Sequence, residues 1–93
     1  MTRFLVRIEL HDASRDEYQD LYEKLAVHGF VDEIISENGK WQLPPAEYLY
    51  EGESTTKQVW KIANTVAHEV VKKCAVFVVR SAGITFSGLD PLK

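Results

Sequence analysis

The spacing of apolar residues changes along this chain, and the order of those changes restricts its fold more than any single motif does. Between residues 3 and 10, Phe4, Val6, Ile8 and Leu10 alternate with Leu5, Arg7 and Glu9, the spacing of a strand with one covered face. Ser14-Arg15-Asp16-Glu17 then has the form of a capping box, in which the hydroxyl and the carboxylate each satisfy a backbone N–H at a helix start. Tyr18, Leu21, Tyr22, Leu25 and Ala26 follow at i, i+3, i+4, i+7 and i+8, one stripe of a helix spanning residues 15–28. Gly29 suits the left-handed conformation just past its end, with Phe30 packing back on the last turn. Asp16, Glu17 and Asp20 near the start and His28 near the end complement the helix dipole.

Residues 31–37 and 40–43 read as two short strands joined by Asn38-Gly39, the pair that best tolerates the positive φ angles of a type I′ turn. Pro44-Pro45 offers no N–H to a ladder, so the second arm breaks there and Ala46–Tyr50 resumes it as one interrupted strand. Ser54, Thr55 or Thr56 can cap a second helix. Its apolar residues Val59, Ile62, Ala63, Val66, Ala67 and Val70 form the cleanest helical stripe in the chain. Burying them contributes on the order of ten kcal/mol gross, at about 1.5–3 kcal/mol per larger aliphatic. Its β-branched residues lower intrinsic helicity, so this helix depends on tertiary packing. Residues 74–80 are apolar on both faces and predict a well-covered strand. After a turn at Ser81-Ala82-Gly83, Ile84-Thr85-Phe86 predicts a short fifth strand at the C-terminus. Strand, helix, hairpin, helix, strand predicts a single α+β domain over residues 1–93. The expected architecture is a ferredoxin-like βαββαβ two-layer sandwich with both helices on one face of an antiparallel sheet.

Ninety-three residues support one hydrophobic core and not two. The 45% hydrophobic and 27% charged content is that of a globular domain rather than a disordered chain. The apolar run after Met1 is interrupted by Arg7 and Glu9 before it reaches the length of a signal-peptide core, and no apolar stretch is long enough to span a bilayer. The lone Cys74 opens an apolar strand, where a thiol is usually inert, and has no Cys/His cluster around it. No disulfide, metal or cofactor is therefore expected, and a cytoplasmic location fits. Residues 1–53 hold twelve acids and five bases and residues 54–93 two acids and six bases, so the net charge of -3 divides into -7 and +4. Overall acidity opposes strong nonspecific nucleic-acid binding but leaves room for a local basic face.

Three groups of residues are candidates for function. Arg7, Glu9 and His11 share a face if the first strand persists, with Asp12 where the chain turns into the first helix. Imidazole titrates near neutral pH and guanidinium matches phosphate geometry, so His11, Asp12 and Arg7 are the catalytic candidates. Solvation alone would also place charges there. Lys57, Lys61, Asn64, His68 and Lys72 fall within about 80° of one another on the second helix, opposite its apolar stripe. With Arg80 the basic members could track a phosphate backbone, although any amphipathic helix shows a polar face of this kind. If the helices lie side by side, the acidic first and basic second are expected to pair at their flanks. Leu5 and Trp41 are candidates for an apolar patch on the open sheet face, buried by a homodimer about a two-fold axis. Trp60, at the edge of the second helical stripe, is assigned to the core. No dinucleotide or P-loop glycine pattern, no nucleophile elbow and no zinc helix occurs.

Phe4-Leu5-Val6-Arg7-Ile8-Glu9-Leu10-His11-Asp12, His28-Gly29-Phe30 and Trp41-Gln42-Leu43-Pro44-Pro45-Ala46-Glu47-Tyr48, taken in this order of elements, resemble the GhoS-like family of small ferredoxin-like endoribonuclease antitoxins. The resemblance implies RNA cleavage, bacterial origin and a toxin–antitoxin setting. His11 would then act as general acid or base, Arg7 or Arg80 would steady the phosphate, and Asp12 would orient the imidazole or hold a divalent ion. The competing expectation is a noncatalytic module that self-associates through its sheet and binds a protein or small ligand.

Overall fold

A computed structural model describes residues 2–92. In chain order the elements are β1 (Arg3–Leu10), α1 (Arg15–Val27), β2 (Glu33–Ser36), β3 (Gly39–Gln42), β4 (Glu47–Glu51), α2 (Thr56–Val70) and β5 (Cys74–Ser81). β1 is the central strand of an antiparallel sheet ordered β4-β1-β5, with Leu5 opposite Leu49 on one side and Val79 on the other. Val31 extends that sheet beyond β4 by exchanging two backbone hydrogen bonds with Leu49, at 2.9 and 2.7 Å. The resulting order is the ferredoxin-like βαββαβ arrangement that the changes of apolar spacing predict.

Both helices start where their side chains close a capping box, Ser14 with Glu17 and Thr55 with Gln58. α1 stops because Gly29 takes a φ of 91°, which lets the N–H groups of Gly29 and Phe30 return to the carbonyls of Ala26 and Leu25. Phe30 is thereby turned into the core. Phe4, Val6 and Ile8 from β1 are buried with Leu21 and Leu25 from α1 and Val59, Ala63, Val66 and Ala67 from α2, so both helices cover the same sheet face. Tyr50 sits between Phe4 and Phe30, its ring centre 6.2 and 4.9 Å from theirs.

The opposite face carries a second cluster that the sequence did not announce. Ile34, Leu43 and Leu49 are buried there, with Leu5, Trp41, Ile84, Phe86 and Leu89 packed around them. It forms because β2 and β3 leave the main sheet as a separate ribbon, registered from Glu33↔Gln42 to Ser36↔Gly39. The turn is therefore Glu37-Asn38, neither with a positive φ, and not the type I′ turn expected at Asn38-Gly39, the φ of 131° falling on Gly39 at the start of β3. The interrupted strand expected across Pro44-Pro45 is therefore two strands in two different sheets. Neither proline donates to a ladder, Glu47 N–H closes a turn on the Pro44 carbonyl at 3.2 Å, and Ala46 adopts a φ of 69°. The strand expected at Ile84–Phe86 does not form either, because that segment places its side chains in the second cluster. Pairing is delayed to Asp90–Leu92, where the Asp90 carbonyl accepts from Gln42 and Leu92 N–H donates to Lys40, both at 2.9 Å. Pro91 lies between them, at a position from which β3 takes no N–H. No helix among the described residues is long and apolar enough to cross a membrane.

Candidate functional site

β1 carries Arg7 and Glu9 outward, away from the helices, as its alternation predicts. The Arg7 guanidinium donates to Glu9 through Nε and Nη2, at 3.3 and 3.2 Å, and to Glu47 on β4 through Nη1, at 3.4 Å. Two carboxylates thus share one guanidinium across neighbouring strands. His11 lies just beyond the strand end, where its backbone N–H bonds to the Lys73 carbonyl at 3.0 Å, and Asp12 turns the chain with a φ of 54°. Both side chains are exposed, and no hydrogen bond among the described residues joins either of them to Arg7.

Lys57, Lys61, His68 and Lys72 are exposed along α2 and just past its end, and Arg80 is exposed near the end of β5. The expected pairing between helix flanks is absent: the ion pairs among the described residues are Arg3–Glu51, Arg7–Glu9, Arg7–Glu47 and Lys40–Glu33, all between strands or within one. The helices present apolar side chains to their shared core, so their charged faces point to solvent instead. Near the C-terminus of α2, His68 Nδ1 donates to the Asn64 carbonyl at 2.8 Å, and the Cys74 sulfur lies 3.6 and 3.8 Å from the two ring nitrogens. Near-equal distances put the sulfur in line with neither nitrogen, and burial pushes the Cys74 thiol up, favouring its neutral form.

Leu5 and Trp41, the residues expected at a dimer interface, meet in the second cluster inside one chain. Trp41 Nε1 donates to Ser36 Oγ at 2.9 Å, and its ring centre is 6.1 Å from that of Phe86. The ribbon and the C-terminal tail cover the β4 half of the outer sheet face, leaving the β5 half bare. Phe77 is 64% exposed and Val79 37% exposed, so the strand expected to be well covered is covered on its helix side only. Residues 74–79 are uncharged, contain no proline, and have no ladder partner on their outer edge among the described residues.

Trp60 is 41% exposed and so does not fill the core to which its place at the edge of the helical stripe assigned it. An apolar run of residues 74–79 is compatible with burial inside one chain or between two, and the sequence could not separate those cases. Only the covered or uncovered state of each face does so. Comparison of the chain with protein-family models, with curated proteins and with solved structures found no match.

Proposed function

We propose that this protein is a noncatalytic interaction module that pairs with a second copy of itself along β5. The observation that carries this reading is the bare edge of β5 with Phe77 and Val79 beside it. A long, flat, apolar edge is a template for another strand unless charge, proline or a bulge blunts it. The sequence of β5 is also self-complementary. An antiparallel pair centred on Phe77 sets Ala75 against Val79 and Phe77 against Phe77 on the outer face, and Val76 against Val78 on the helix face. Lys73 meets Ser81 in that register, so no like charges are opposed.

Analytical ultracentrifugation is expected to show a dimer, with Phe77→Asp weakening it by at least about tenfold while leaving the fold intact. A wild-type chain that stays monomeric at high concentration ends this reading. RNA contact through α2 draws support from the exposed row Lys57, Lys61, His68 and Lys72. Titration with mixed single-stranded RNA separates the two: binding that falls steeply with salt and is lost in Lys57→Ala/Lys61→Ala favours the row.

A further inference from the structure

A hollow of about 670 Å³ opens between α1 and the β2–β4 region, on the side of the molecule away from β5, within the size range of small-molecule sites. Tyr18 and Tyr22 from α1 and Tyr48 from β4 line it, with Asp32 and Glu33 from the start of the ribbon and Arg15 from the first turn of α1. Arg15, Tyr18 and Tyr22 recur at i, i+3 and i+7, so one face of the helix supplies one wall. The three rings are not equivalent. Tyr18 is spent on structure, its hydroxyl accepting from Leu10 N–H at 2.9 Å and holding the end of β1. Tyr48 is only 5% exposed, and its hydroxyl makes no hydrogen bond among the described residues; since no buried side-chain oxygen there is left without a partner, this oxygen is the part of the side chain that stays open to the hollow. The hydroxyl of a mostly buried tyrosine keeps a partner, and here water or a ligand in the hollow is the group placed to supply it.

The charges around the hollow set the sign of that partner. The Glu33 carboxylate is shared with Lys40, 3.9 Å away, whereas Asp32 has no ion-pair partner among the described residues. Its negative field reaches both Tyr22 and Tyr48 and pushes their hydroxyls up, Asp32 being the first cause of the upward shift at Tyr22 and the second, after burial, at Tyr48. The main chain of Asp32 is fixed, because its carbonyl accepts from Gln42 Nε2 at 2.8 Å and from Leu43 N–H at 2.9 Å. Tyrosine side chains lining the same hollow as a carboxylate without an ion-pair partner, with a phenol hydroxyl able to accept a hydrogen bond, suit an organic cation.

We infer that this hollow is a binding site for a small alkylammonium ion, with Asp32 as its counter-charge, Tyr22 as a ring contact and the Tyr48 hydroxyl as a hydrogen-bonding group. Arg15 opposes the cation from the rim, so removing its charge tightens binding or leaves it unchanged. The site shares no residue with the β5 edge, and its test therefore stands or falls apart from that of self-association. Choline is the probe, and its uncharged isostere 3,3-dimethylbutan-1-ol is the control, each titrated by calorimetry and by NMR of the tyrosine rings.

Choline is expected to bind and to shift the Tyr22 and Tyr48 resonances, the neutral alcohol binding at least about tenfold more weakly. Asp32→Asn should weaken choline by at least about tenfold with its thermal transition unchanged, because the fixed main-chain contacts are kept. Arg15→Gln should hold or improve affinity. Equal binding of choline and the alcohol, full affinity in Asp32→Asn, loss of affinity in Arg15→Gln, or no binding of choline at all would each overturn the assignment.

Discussion

Tyr48 shows how much one side chain can report about its surroundings. Burial, with the Asp32 carboxylate and Tyr18 adding to it, pushes its hydroxyl up to about 12 from an ordinary value of 10.0. A proton held more tightly by the folded chain than by the unfolded one stabilises the fold fully below pH 10, and this contribution is lost as the pH rises from 10 towards 12. Thermal unfolding followed as a function of pH should show a fall over that alkaline window in the wild type and a shallower one in Tyr48→Phe. The position of this residue was legible only in part. Its strand was expected, but Pro44-Pro45 obscured the separation between the ribbon and β4, and with it the hollow that Tyr48 faces.

At the scale of single elements the two helices are the most locally determined parts of the molecule, because each start is fixed by residues three apart. Thr55 Oγ1 accepts from Gln58 N–H at 3.1 Å, and the Gln58 side chain accepts from Thr55 N–H at 3.0 Å. Thr55→Ala is therefore expected to cost about 1 kcal/mol in urea unfolding, against under about 0.5 kcal/mol for Lys57→Ala on the solvent side of the same helix. The strands behave differently. β1 was readable from alternation because it has one buried face and one partly open face, whereas β5 was misread as covered on both. An apolar run states that burial is available to a strand, not which neighbour supplies it. The pair Leu5 and Trp41 illustrates the same limit from the other side: both are apolar residues expected at an open face, and packing within the same chain covers them in part.

At the scale of the whole molecule the fold has two cores of unequal standing. The helix-side core joins elements throughout the chain, while the cluster of Ile34, Leu43 and Leu49 depends on the last ten or so residues reaching across the sheet. Truncation after Gly83 removes Ile84, Phe86 and Leu89 from that cluster and both tail hydrogen bonds from β3. The expected result is a chain that keeps its helical signal but exchanges the amides of β2 and β3 quickly, with those of β1 still protected, as hydrogen-exchange measurements would register. Equal protection of the ribbon in the truncated and full chains would refute that division. The sequence by itself determined the two helices with their caps, the first strand, the presence of a hairpin near Asn38-Gly39 and the helix-side core, because all of these depend on residues within a few positions of one another or on a repeating period. Tertiary structure alone decided that the ribbon leaves the sheet, that the tail covers the β4 half of its outer face, that the edge of β5 stays bare and that a tyrosine-lined hollow opens beside α1. Those outcomes depend on which of several compatible apolar surfaces meet in space, and neither periodicity nor composition records that choice.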